Sequence, residues 1–67
     1  MSIVLNGKSV VLPEEVNSIQ KLLTQYNLEK RIVVVELNKE IVLKEYYETT
    51  NLSRGDMVEI IHFVGGG

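Results

Sequence analysis

The chain has 67 residues, 45% of them apolar, with a formal net charge of −2. Ordering so short a chain costs on the order of 100 kcal/mol, so nearly every aliphatic side chain is needed for one core, and little interior is left for a substrate pocket of roughly 300–1,000 Å³. The acidic balance argues against a nucleic-acid partner, no apolar run approaches a membrane span, and the lack of cysteine removes disulfides, thiol nucleophiles and cysteine-based metal sites.

The N-terminal residues Met1-Ser2-Ile3-Val4-Leu5 have no basic region or cleavable signal pattern, and a cytoplasmic domain is the expectation. Asn6-Gly7 lies between Ile3-Val4-Leu5 and Val10-Val11-Leu12. Asn-Gly accepts the positive φ angles of a type I′ turn, which predicts a two-residue hairpin. The register then sets Leu5 opposite Lys8, Ile3 opposite Val10 and Met1 opposite Leu12. Met1, Ile3, Leu5, Val10 and Leu12 share the apolar face. Pro13 stops the second strand, and Glu14-Glu15 is a solvated connection.

Asn17 is the expected N-cap of a short helix, with Gln20 completing a capping box. Ile19, Leu22, Leu23 and Tyr26 follow at i, i+3, i+4 and i+7, one core-facing stripe. Asn27 suits the left-handed position after the helix, folding Leu28 back toward Leu23. The run Ile32 to Leu37 predicts a strand central in its sheet. Asn38-Lys39 forms a weaker turn, because lysine resists positive φ, and leads to a strand over Glu40 to Leu43. Between Lys44 and Asn51 a turn of helix or 3₁₀ structure is expected, with Tyr46 and Tyr47 packing at the sheet edge. Arg54-Gly55-Asp56 reads as a turn before a last strand over Met57 to Val64. In that strand Val58 and Ile60 face the core, and Met57, Glu59, Ile61 and Phe63 face the other way. One helix across one face of a mixed sheet buries all these stripes, an α+β arrangement of the ubiquitin-like β-grasp type. The expected division is a domain over residues 1–64 and a flexible glycine tail over 65–67.

The chain ends Val64-Gly65-Gly66-Gly67. Glycines this close to an end are commonly a frayed terminus. Here they directly follow a strand, and four extended residues reach roughly 13 Å. A tail without β-carbons suits a narrow channel in another protein, where its carboxylate could attack the α-phosphate of ATP. A thiol, persulfide or amine could then displace AMP.

In its motifs the sequence resembles the ThiS family of sulfur carriers. The matching pieces are Leu5-Asn6-Gly7-Lys8, the stripe from Ile19 to Leu23, and Val35-Glu36-Leu37-Asn38-Lys39-Glu40-Ile41-Val42. The most specific piece runs from Leu52-Ser53-Arg54-Gly55-Asp56-Met57 to Phe63-Val64-Gly65-Gly66-Gly67. The resemblance implies a carrier that is not itself an enzyme and binds no cofactor of its own. An E1-like adenylating enzyme would activate the Gly67 carboxylate with ATP and Mg. A cysteine-desulfurase persulfide would supply sulfur, and thiazole synthase would receive it from the thiocarboxylate. Gly65 and Gly66 become the threading positions. The third glycine leaves either Gly66 or Gly67 as the end of the active form, and Lys39 stands where many relatives have glycine.

Several alternatives remain open. A carrier for another pathway, of the molybdopterin synthase small-subunit type, fits the same residues. So does a ubiquitin-type modifier, or an interaction domain with an inert tail. Met57, Ile61, Phe63 and Val64 are candidate partner-binding residues, unless the connection after Leu43 covers the outward set. His62 has no second ligand candidate nearby and reads as a surface or partly buried histidine. Glu45 and Glu48 read as solvated charges.

Overall fold

A computed structural model describes residues 1–62. Strands β1 (Ser2–Leu5) and β2 (Lys8–Val11) come first, then helix α1 (Ile19–Gln25), β3 (Val33–Leu37) and β4 (Glu40–Val42). A 3₁₀ turn over Lys44–Tyr46 and strand β5 (Met57–His62) complete the described chain. The sheet order is β2-β1-β5-β3-β4. β5 runs parallel to β1 and antiparallel to β3, so the sheet is mixed and β5 is its middle strand.

The first hairpin has the expected register, with Ile3 opposite Val10 and Leu5 opposite Lys8. Met1 and Leu12 extend it through a Leu12 N–H to Met1 C=O bond of 2.7 Å. Asn6 and Gly7 take φ of 50° and 82°, the signature of the type I′ turn. A β-carbon on Gly7 would meet no atom within 4 Å, so backbone conformation alone explains that glycine.

Helix α1 starts one residue later than the sequence suggests. Ser18, not Asn17, is the N-cap, and its hydroxyl accepts the Lys21 N–H at 3.2 Å. The cause is tertiary. The Asn17 carbonyl accepts the Leu52 N–H, and Ser18 bridges Asn51, which holds this stretch extended up to Ser18. Lys21 therefore occupies the third helical position, and Gln20 completes no capping box.

The helix ends as expected. Asn27 adopts φ 59°, and the N–H groups of Asn27 and Leu28 bond back to Thr24 and Leu23. That pair of bonds is a Schellman motif. Tyr26 departs from the predicted stripe: it sits at the C-cap and is exposed.

Seven residues make too short a helix to persist by itself. Ile19, Leu22 and Leu23 anchor it, each buried and each contributing about 1.5–3 kcal/mol. They pack with Leu12 and with Ile3, Val35, Val58 and Ile60 from the sheet. β3 begins at Val33, and Ile32 is left exposed outside the ladder. β3 lies inside the sheet, between β5 and β4. β4 stops at Val42, and Leu43 caps the 3₁₀ turn. The two tyrosines separate: Tyr47 joins the core, while Tyr46 faces solvent instead of packing at the edge.

Candidate functional site: the open face of the sheet and the end of β5

Alternation along β5 puts Val58 and Ile60 under the helix and leaves Met57, Glu59 and Ile61 outward. Met57 is 48% exposed and Ile61 54%. Each has an apolar cross-strand neighbour on that face, Val4 beside Met57 and Val34 beside Ile61. Ile41 on β4 lies exposed on the same face, opposite Glu36. Between the two apolar pairs, Glu36 stands directly opposite Glu59, an arrangement of like charges that costs stability.

The connection after Leu43 does not cover Met57 or Ile61. It lies on the helix side, where the carbonyls of Tyr47 and Thr50 accept the N–H groups of Gln20 and Ile19. Tyr47 is thereby buried against the core, and burial pushes its phenol pKa up. His62 is exposed at the rim of a groove of about 390 Å³ that Tyr26, Leu28 and Ile60 also line. Among the described residues no three His, Asp or Glu side chains gather in a way that could hold a metal ion.

Phe63, Val64, Gly65, Gly66 and Gly67 lie outside the described residues. What the structure defines is the strand that leads to them. β5 is held on both flanks by asparagines from hairpin turns. The Asn6 side chain accepts the Ile60 N–H at 2.8 Å and donates to the Ile60 carbonyl at 3.2 Å. At the other end, the Asn38 side chain accepts the Met57 N–H at 2.9 Å and donates to Asp56. Sequence reasoning assigned both asparagines to turns and missed these reaches. The only hint is that each asparagine sits at the tip of a hairpin.

A mixed five-stranded sheet with one helix across one face and an open opposite face defines a β-grasp protein of the ubiquitin-like kind. The ThiS family model matches residues 3–67, and the chain belongs to that family. It is 52% identical to the sulfur carrier protein ThiS of Bacillus subtilis over 63 residues, 94% of this chain and 96% of that one. A thiazole synthase of Paramagnetospirillum magneticum is 36% identical over 67 residues, all of this chain but only 20% of that longer protein. The crystal structure of a thiamine biosynthesis protein (ThiS) from Geobacter metallireducens superposes with a TM-score of 0.83 at 32% identity, covering both chains fully. The solution structure of a Geobacter metallireducens thiamine biosynthesis protein gives 0.82 at 32% identity, covering all of this chain and 88% of that one.

Proposed function

We propose that this chain is a sulfur carrier of thiamine biosynthesis, working in the cytoplasm as a co-substrate of larger enzymes. The observation that carries the reading is the 52% identity to a sulfur carrier protein over 94% of the chain. The thiazole synthase that contains a similar 67-residue stretch supports a partnership with that class of enzyme. A folded unit over residues 1–64 carries the tail of residues 65–67. The Gly67 carboxylate is the reactive group. An E1-like adenylating enzyme uses ATP and Mg to form the acyl adenylate, and pyrophosphate leaves. The terminal sulfur of a cysteine-desulfurase persulfide then displaces AMP to form an acyl persulfide, and a second thiol cleaves its S–S bond, releasing the thiocarboxylate and leaving a disulfide. Gly65 and Gly66 thread the enzyme channel, while Met57, Ile61, Phe63 and Val64 dock the carrier.

The test is Gly67→Val. A β-branched terminus collides with a channel shaped for glycine, and misplacing reacting atoms by about 1 Å costs on the order of a hundredfold in rate. ATP-dependent pyrophosphate release with purified adenylating enzyme should fall by at least that factor, and the mass gain from oxygen-to-sulfur exchange should vanish. The melting temperature should match wild type, since a chain terminus of this kind contributes little to folding. Normal sulfur gain by Gly67→Val refutes the reading. A ladder of heavier conjugates in place of the sulfur mass shift would mark a protein modifier.

A further inference from the structure

We infer that Asn6 is a positioning residue for the reactive end of the chain: its side-chain amide stands in for a peptide group beside Ile60 and sets the path on which β5 leaves the sheet. The inference rests on the carrier reading above.

The argument begins with the shortness of the β1–β5 ladder. The two strands pair in parallel only at Val4 with Met57 and Leu5 with Val58. Their backbone bonds run from Val4 N–H to the Asp56 carbonyl and from Asn6 N–H to the Val58 carbonyl, each 2.9 Å. A continuing parallel strand would next offer a carbonyl to the Ile60 N–H and an N–H to the Ile60 carbonyl. β1 cannot supply them, because the chain turns back at Asn6-Gly7 into β2.

The Asn6 side chain fills that place. Its Oδ1 accepts the Ile60 N–H and its Nδ2 donates to the Ile60 carbonyl, at 2.8 and 3.2 Å. An amide side chain carries the same donor and acceptor as a peptide group, so the ladder gains one more rung without more strand. Both bonds are partly buried, and they join residues 54 apart in sequence. Aspartate, serine or glycine tolerates the turn but offers no such pair. Beyond Ile60, the described β5 ladder partners are Val34 and Val33, on the opposite flank. Among the described residues, Asn6 thus makes the last hydrogen bonds that hold β5 from the β1 side, two residues before His62.

A strand fixed on one flank only can swing about that flank. Gly67 lies seven positions beyond Ile60, so the path β5 takes at Ile60 sets the point from which the tail must reach the adenylation site. Adenylation requires that carboxylate in line with a phosphorus atom, where errors of about 1 Å are costly. Asn6 therefore acts on the turnover of the carrier and not on its docking.

The experiment compares Asn6→Gly with Asn38→Gly in steady-state adenylation, with the full-length carrier as the varied substrate. Glycine keeps both type I′ turns, since it accepts φ near 50° freely, and removes only the side-chain reach. Asn38 is the control because it grips Met57 at the far end of the same strand. Both variants should lose stability. Asn6→Gly alone should lose roughly ten- to a hundredfold in kcat with KM within about twofold, the mark of an interaction made in the transition state. Asn38→Gly should keep kcat within about twofold of wild type. Wild-type kcat in Asn6→Gly, or equal losses in both variants, overturns the inference. Should Asn6→Gly be unfolded at the assay temperature, Asn6→Asp decides: it keeps the acceptor for Ile60 N–H and loses the donor. An intermediate kcat supports the clamp, and a wild-type kcat refutes it. Failure of the wild-type carrier to release pyrophosphate counts against the carrier reading itself.

Discussion

Lys39 holds a conformation that its side chain disfavours. Asn38 and Lys39 take φ of 50° and 71°, nearly the angles of Asn6 and Gly7 in the first hairpin. A non-glycine residue in the left-handed region costs roughly 1–2 kcal/mol. Glycine avoids that cost and gives back about 0.5–1 kcal/mol as lost backbone freedom on folding. Asn38 explains why the turn forms regardless. Its N–H bonds the Met57 carbonyl at 2.7 Å, and its side chain accepts the Met57 N–H and donates to Asp56. These contacts impose the turn and Lys39 conforms to it. Lys39→Gly should therefore stabilise the domain by about 0.5–1 kcal/mol, raising the melting temperature by roughly 2–8 °C. Thermal melts of the two proteins at equal concentration check this. A lowered melting temperature would mean that the lysine stem stabilises the fold by more than its backbone strain costs.

At the scale of elements, the helix start shows where local signals give way to tertiary ones. Ser18 is buried and caps α1, whereas Asn17 is exposed and offers only its carbonyl to Leu52. Ser18→Ala should cost about 1 kcal/mol, and Asn17→Ala much less, as read by urea unfolding midpoints. Equal losses would return the cap to Asn17. The same contrast runs through the whole chain. The first hairpin, the faces of β5 and the helix C-terminus were legible because turn chemistry, strand alternation and the left-handed Asn27 are all local. Ser18 as cap, the burial of Tyr47 without Tyr46, and the exposure of Tyr26 were not. The first two depend on segments distant in sequence: residues 50–52 set the cap, and the helix start receives Tyr47. Tyr26 is exposed because the helix ends at Gln25 and leaves it at the C-cap. In the candidate site the outward Met57 and Ile61 followed from alternation. The Asn6 and Asn38 clamps did not, because nothing in a turn residue's neighbourhood tells which strand it will touch.

At the scale of the whole molecule, the sheet has one face sealed by α1 and, among the described residues, one without such a cover. The sealed face holds Val58 and Ile60, 0% and 7% exposed. The open face holds Met57 and Ile61 on the same strand, flanked by Val4 and Val34. Burial on the sealed side makes Ile60 a folding residue, and its truncation to alanine should cost about 2–5 kcal/mol. Exposure on the open side frees Met57 and Ile61 from that duty, and substitutions there away from special features change stability by only about 0.5 kcal/mol. Threonine is the suitable probe, because its branched Cβ keeps strand preference while its hydroxyl removes the apolar tip. If the open face docks the adenylating enzyme, the double change Met57→Thr with Ile61→Thr should weaken binding by about tenfold or more, the equivalent of at least 1.4 kcal/mol. Its melting temperature should stay within a few degrees of wild type. Calorimetric titration of the enzyme with each carrier, beside thermal melts, gives both numbers. Unchanged affinity with an unchanged melt would remove Met57 and Ile61 from the interface and leave docking to another surface. A collapsed melt would instead mean that the apolar pairs with Val4 and Val34 hold the sheet together, and that their exposure serves folding.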